Sequence, residues 1–339
     1  VTTHGVDDGM NRIGVIGGGA WGTALAQAAA RAGREAVLWA REPAVVAGIN
    51  RDRANPDYLP GVNLDSRVRA TTDLAEAAAT DAVLLVTPAQ HLREVCGRLA
   101  PHWRPGVPAV IAAKGVELGT LAPMSEAAAA ALPARTPIAI LSGPTFAIEV
   151  ARGLPTAVTL ACADRETGQR LVEALGSLTF RPYLTDDVMG AQIGGAVKNV
   201  LAIACGVAVG CRLGDNARAA LITRGLAEIT RLALALGGRS GTLMGLSGLG
   251  DLTLTCSSLQ SRNMSLGVAL GEGRALADIL AERRSVAEGV YSARAVVELA
   301  DRHGVELPIC ASVDAILNRG ARVDDTIATL LSRPFREEA

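Results

Sequence analysis

Arg12-Ile13-Gly14-Val15-Ile16-Gly17-Gly18-Gly19-Ala20-Trp21-Gly22-Thr23 is the stretch that decides the fold. Its first five residues read as a short buried strand, and the alanine-rich run 23–32 as a helix. Between them Gly17, Gly19 and Gly22 satisfy G-x-G-x-x-G. In a strand–turn–helix setting the first glycine permits the tight turn, the second lets backbone approach a pyrophosphate, and the third lets helix pack on strand. The helix N-terminus adds N–H groups and the positive end of a dipole. A Gly-rich turn with no ligand is the alternative in a chain with 37 glycines. The position of this one, opening a βα unit, favours a dinucleotide.

Working outward, a second strand at 35–39 ends at Ala40-Arg41-Glu42. An acidic group about 20 residues past the glycines accepts the ribose hydroxyls of NAD, whereas an arginine there suits the 2′-phosphate of NADP. Both residue types are present, so the choice of cofactor stays open. We carry forward Arg41 facing the adenosine ribose, with NADPH accepted; a solvated arginine is the alternative. Further strands are expected at 81–86, 107–112, 138–141, 156–161 and 180–184. The third of the whole set ends at Thr87-Pro88, the fourth at Ala113-Lys114-Gly115, and the fifth opens into Ser142-Gly143-Pro144-Thr145-Phe146-Ala147. Sheets of this kind bind ligands at their carboxyl edge, which places Lys114 beside the expected cofactor. The Gly-Pro-Thr loop becomes a candidate ligand contact, although in isolation it is an ordinary turn.

From residue 188 onward strand signals fade and apolar-periodic helices take over, so a dinucleotide-binding part at 1–188 is expected to precede a helical part at 189–339. No flexible linker separates them, which predicts that the two pack around a cleft. Within Gly194-Gly195-Ala196-Val197-Lys198-Asn199-Val200, Lys198 interrupts an apolar helical run. An ammonium there costs free energy unless it is paired, solvated by a cleft or used. Enzymes use such a lysine to exchange a proton with an alcohol or carbonyl oxygen; the bland alternative is a lysine that snorkels to solvent. Residues 216–236 read as a helix whose Arg218, Arg224, Glu228 and Arg231 form a solvated or interdomain face. Next, Asp251 stands amid Leu and Gly, where a carboxylate needs partners or caps a following helix. Thr255 lies one helical turn later on the same face. Ser261-Arg262-Asn263 then sets a guanidinium beside an amide, a pairing that suits phosphate, although a loop arginine is often only solvated.

Composition narrows the classes. The chain has 339 residues, ample for two cores. A net charge of −1 and 3% aromatics argue against nucleic acid as a partner. Six scattered cysteines without a C-x-x-C pair read as reduced, buried thiols, and four histidines in no metal-binding spacing leave no metal expected. Residues 1–10 show no secretory pattern, and the longest apolar run, 200–211, is too short to span a bilayer. A cytoplasmic protein, not membrane-embedded, is expected.

Seven blocks stand in register: Gly17-x-Gly19-Ala20-Trp21-Gly22-Thr23-Ala24, Ala113-Lys114-Gly115, Ser142-Gly143-Pro144-Thr145-Phe146-Ala147, Gly194-Gly195-Ala196-Val197-Lys198-Asn199, Gly248-Leu249-Gly250-Asp251-Leu252, Ser261-Arg262-Asn263 and Val286-Ala287-Glu288-Gly289. In this order the chain, from about residue 11 to 333, resembles the bacterial NAD(P)-dependent sn-glycerol-3-phosphate dehydrogenases. The resemblance implies an α/β N-terminal Rossmann-like doubly wound sheet followed by an all-α domain, the 6-phosphogluconate-dehydrogenase-like build. It implies reversible NAD(P)H-dependent reduction of dihydroxyacetone phosphate to sn-glycerol 3-phosphate, supplying the glycerol backbone of phospholipids, and a homodimer. Lys198 becomes the general acid/base. Lys114, Gly143, Thr145, Asp251, Ser261, Arg262 and Asn263 match substrate-site positions, with Asn199 and Thr255 beside them. Ala20, Trp21, Arg41, Lys114, Ala147, Arg262, Val286 and Glu288 match cofactor contacts. Two rivals remain at this point: a β-hydroxyacid dehydrogenase of similar build, which needs a carboxylate pocket, and a non-catalytic NADP(H) sensor, in which Lys114, Lys198 and Asp251 have no purpose.

Overall fold

The computed structural model describes residues 9–282 and 287–334. Eight strands form one sheet: β1 (Arg12–Ile16), β2 (Glu35–Trp39), β3 (Val68–Thr71), β4 (Ala82–Leu85), β5 (Ala109–Ile111), β6 (Ile138–Ser142), β7 (Thr156–Cys162) and β8 (Phe180–Thr185). Their spatial order is β3-β2-β1-β4-β5-β6-β7-β8. All neighbouring pairs are parallel except β6 with β7. Order reverses at β1, which pairs on one side with β2 and on the other with β4, so that Ile16 lies opposite both Trp39 and Leu85. Parallel neighbours need long crossovers, and helices supply them on both faces. Ala82 and Leu84 of β4 join one core cluster, while Val83 and Leu85 join the other. The central strands β1, β4, β5 and β6 bury both of their sides, which is why these segments read as apolar runs without alternation. This is the expected doubly wound, Rossmann-like sheet.

The seven strands expected from sequence are all present, with ends shifted by up to two residues. β3 is the addition. Val68-Arg69-Ala70-Thr71 is four residues long and carries an exposed Arg69, so it offers no apolar run to read.

The chain divides into two compact units, one of Val1–Lys114 with Ala122–Gln192 and one of Gly115–Leu121 with Ile193–Ala339. The division thus falls inside the helix Val188–Gly210, four residues past the expected boundary, and a short earlier segment groups with the second unit. From Val188 onward every named element is a helix. Val188–Gly210 has 23 residues, so by length and composition it could cross a membrane, whereas the apolar run noted in the sequence alone was shorter. Its most apolar window is 83% buried inside the fold, which makes it a core helix.

One helix crossing fixes the second unit. Gly206 and Gly210 face Gly267 and Gly271 of the helix Arg262–Gly271. A Cβ on Gly206 would lie 2.2 Å from the Met264 carbonyl, and one on Gly267 would lie 2.1 Å from that of Ile203. Backbone-to-backbone packing of this closeness excludes any larger side chain. It sets the helix bearing Lys198 against the helix that Arg262 begins.

Candidate active site

In the first unit the glycine turn is built for a ligand. Gly17 has φ +133°, and a Cβ there would sit 2.6 Å from the Val86 carbonyl. On Gly22 it would sit 1.8 Å from the Gly17 carbonyl. On Gly19 it would meet nothing within 4 Å. Two of the three glycines are therefore demanded by the protein's own packing, and the third faces open space. Gly19 is the N-cap of the helix Ala20–Arg31, which has no side-chain cap and no acidic residue in its first turn. Its leading N–H groups are free to meet an anion. At the carboxyl ends of β4 and β6, the buried hydroxyls of Thr87 and Ser142 have no hydrogen-bond partner.

Asn55 holds this turn from behind. Its Nδ2 donates to the Gly18 carbonyl at 2.9 Å and to Thr23 Oγ1 at 2.8 Å. Sequence reading missed Asn55, because an Asn-Pro pair in a loop signals only a turn. Ala20, Trp21 and Ala147 pack on the same core cluster beneath the turn. Arg41 lies past the tip of β2 with its side chain 82% exposed, paired to Glu42 at 2.9 Å. Lys114 Nζ donates to the Gly143 carbonyl at 3.4 Å, and Thr145 Oγ1 donates to the same oxygen at 3.3 Å. The three expected loop residues of this unit are thus brought together.

In the second unit Lys198 is 6% exposed and Asp251 wholly buried. Lys198 Nζ donates to Asp251 Oδ1 and, at 2.9 Å, to Thr255 Oγ1. The Thr255 hydroxyl spends its own proton on the Asp251 carbonyl at 2.6 Å, so toward Lys198 it can only accept. A π-helical turn, Leu246–Gly250, delivers Asp251 as the first residue of the helix Asp251–Cys256. The N-cap position belongs to Gly250 and no side chain caps this helix, which corrects the capping alternative: the carboxylate turns to the ammonium. The buried Cys256 thiol, sharing a hydrogen bond with the free thiol of Cys205, is held well above the usual thiol range. It stays neutral and does not compete with Asp251 for the ammonium.

Asn263 and Asn199 form a relay with a fixed direction. The backbone N–H of Gly289 can only donate, and it donates to Asn263 Oδ1 at 3.0 Å. Asn263 must then present its Nδ2, which donates to Asn199 Oδ1 at 3.0 Å. Asn199 is left with its Nδ2 donor turned away, next in sequence to Lys198. Both amides are buried. Ser261 is the N-cap of the helix Arg262–Gly271, accepting from the Met264 N–H at 3.2 Å. Its hydroxyl thus starts the helix that carries the exposed Arg262. Glu288 is half-buried at the head of the helix Gly289–Arg302; Val286 lies outside the described residues.

The comparisons with known proteins bear on this geometry. The NAD-dependent glycerol-3-phosphate dehydrogenase N-terminus model matches residues 12–168, and the C-terminus model of the same family matches residues 187–328. The chain belongs to the NAD-dependent glycerol-3-phosphate dehydrogenase family. It is 63% identical over 330 residues to the glycerol-3-phosphate dehydrogenase [NAD(P)+] of Rhodospirillum rubrum, covering 97% of this chain and 94% of that one. With the enzyme of that name from Paramagnetospirillum magneticum the identity is 72% over 256 residues, 76% of this chain and 93% of the relative. The crystal structure of glycerol-3-phosphate dehydrogenase from Coxiella burnetii matches with a TM-score of 0.91 at 39% identity, covering 96% and 99% of the two chains.

As a glycerol-3-phosphate dehydrogenase the chain uses NAD(P), and the first unit fits that cofactor on its own geometry. Open space at Gly19, uncapped N–H groups behind it and two unpartnered hydroxyls at the strand tips suit a pyrophosphate-bearing ligand. Among the described residues no three His, Cys, Asp or Glu side chains group as a metal site.

Proposed function

We propose that Lys198 is the general acid/base of the reversible NAD(P)H-dependent reduction of dihydroxyacetone phosphate to sn-glycerol 3-phosphate. The observation that carries this reading is the buried ammonium itself, held between Asp251 Oδ1 and Thr255 Oγ1. A bound nicotinamide supplies hydride to C2 of the ketone. Negative charge then develops on the carbonyl oxygen, and Lys198 Nζ donates a proton to it, recovering that proton in the reverse direction. Asp251 Oδ1 and Thr255 Oγ1 accept from the ammonium and so fix its orientation. Asn199 offers its Nδ2 to the substrate. Arg262, whose planar fork matches a phosphate, clamps the far end of the substrate, and that remote binding energy positions the ketone. Lys114, Gly143 and Thr145, joined at the Gly143 carbonyl, contact the substrate, and Lys114, Ala147, Arg41 and Glu288 contact the nucleotide.

Replacement of Lys198 by Ala is expected to lower turnover by about two to four orders of magnitude while NADPH still quenches protein fluorescence at its usual concentration. Turnover near wild type would remove the role. Arg262→Ala is expected to weaken dihydroxyacetone phosphate far more than unphosphorylated dihydroxyacetone. Equal losses on both would remove the clamp.

The wider setting is also a proposal: a cytoplasmic homodimer whose product feeds glycerophospholipid synthesis. Family membership supports it.

A further inference from the structure

Beyond Lys198, the second half of the helix Val188–Gly210 lines a cavity of about 940 Å³ within the second unit. Its other walls are the helices Asp215–Ala235, Pro308–Asn318 and Val323–Leu331. Clefts of about 300–1,000 Å³ with apolar walls and a few convergent polar groups are the usual size for small-molecule sites. None of the residues assigned to the reaction lines it. The walls are mainly apolar, with Ala204, Val207, Leu221 and Ile309 among them. The helix Val323–Leu331 has no fully buried residue although Ile327, Leu330 and Leu331 line the cavity. Leu331 is 78% exposed.

The charged groups around this apolar space are unequally matched. Glu228 is consumed by the helix Pro308–Asn318, accepting from the Ile309 and Cys310 N–H groups at 2.7 and 3.1 Å. Glu306 takes Arg333 on its carboxylate at 3.1 Å and Arg231 on its carbonyl at 3.1 Å. Arg224 makes no hydrogen bond or ion pair with any described residue. A guanidinium at the lip of an apolar cleft, with both neighbouring carboxylates already engaged, is complementary to an anion on an aliphatic body.

We propose that this cavity is a second ligand site, for a single-chain amphipathic anion whose aliphatic part fills the cleft and whose headgroup meets Arg224. Purified protein is titrated calorimetrically with dodecyl phosphate below its micellar concentration, under saturating glycerol 3-phosphate so that the substrate's phosphate site is occupied. One equivalent is expected to bind saturably. Arg224→Ala is expected to weaken it by about tenfold or more, and Ala217→Trp, which fills the cleft, to abolish it. Both variants are expected to keep wild-type reduction of dihydroxyacetone phosphate, which shows that they fold. Neutral dodecyl maltoside is expected to bind at least about tenfold more weakly, and inorganic phosphate alone not to occupy the site. Equal binding of dodecyl maltoside, or an Arg224→Ala protein with unchanged affinity, overturns the anion assignment. No dodecyl phosphate binding together with a dimer that Ala217→Trp dissociates in sedimentation overturns the proposal, because a second copy then covers this face.

Discussion

Lys198 and Asp251, 53 positions apart, form a buried ion pair whose carboxylate has no contact with solvent, while the lysine retains 8% of its side-chain surface. Breaking such a pair by removing one partner costs about 3–5 kcal/mol, because the other charge is left buried and alone. The asymmetry in exposure sets the order. Lys198→Ala strands a wholly buried carboxylate, whereas Asp251→Ala strands an ammonium with some access to water. Denaturant midpoints are therefore expected to fall furthest for Lys198→Ala, less for Asp251→Ala, and least for the double variant. None of the three should reduce dihydroxyacetone phosphate at a normal rate. A double variant less stable than both singles would show that the pair's charges are compensated elsewhere.

The glycine turn separates folding from binding. At Gly22 a Cβ would collide with the Gly17 carbonyl at 1.8 Å, while at Gly19 it would meet nothing. Gly22→Ala is expected to lower the melting temperature sharply or prevent folding. Gly19→Ala loses only a modest capping preference, about 1 kcal/mol or less, yet its methyl occupies the space where a pyrophosphate approaches. Its melting temperature should stay close to wild type while the Kd for NADPH, read by fluorescence, rises at least tenfold. Unchanged NADPH affinity in Gly19→Ala would remove the pyrophosphate from this face of the turn.

Much of this was legible because parallel strands buried on both faces announce themselves as short apolar runs, and a glycine turn with a following helix names its ligand. Lys198 was legible for the opposite reason, as a charge where the pattern forbids one. What sequence could not show was direction. Asp251 reads second as a helix cap until the π-helical turn at Leu246–Gly250 delivers it to Lys198. Nor could sequence show that Ser261 caps the helix Arg262–Gly271, or that Asn263 bonds to Gly289 and Asn199. β3 was hidden because an edge strand with an exposed Arg69 carries no apolar signature. Asn55 was hidden because its partners are two backbone and side-chain oxygens some 32 to 37 residues away.

Asp65 sets an acid limit on the first unit. Arg67 grips it with its side chain and also through its backbone N–H, and together with the Arg31 charge this holds the Asp65 carboxyl at about 2. The folded value lies below the unfolded one of about 3.9. The stabilisation is therefore complete above about pH 4 and is lost as pH falls toward 2. The pair is partly exposed, so the effect is small and salt-sensitive. Asp65→Asn is expected to melt below wild type at neutral pH, with the gap closing between about pH 4 and 2. A gap independent of pH across that window would trace the loss to packing instead.

The amide relay gives a sharper test of the substrate side, because direction alone can be reversed without changing shape. In Asn263→Asp one carboxylate oxygen still accepts from the Gly289 N–H. The other now faces Asn199 as an acceptor where an Nδ2 donor stood. Asn199 must rotate its amide to donate inward, which turns Oδ1 outward toward the substrate in place of Nδ2. A donor lost against a charged substrate is worth about 1.5–3 kcal/mol, so kcat/KM for dihydroxyacetone phosphate should fall by about 10- to 100-fold. NADPH affinity should hold, since the Gly289 bond and the side-chain volume are kept, while the melting temperature falls because the new carboxylate is buried without a cationic partner. Asn199→Asp alone should fail similarly, for it too presents only acceptors. Wild-type kcat/KM in Asn263→Asp would mean that Asn199 serves the helices and not the substrate.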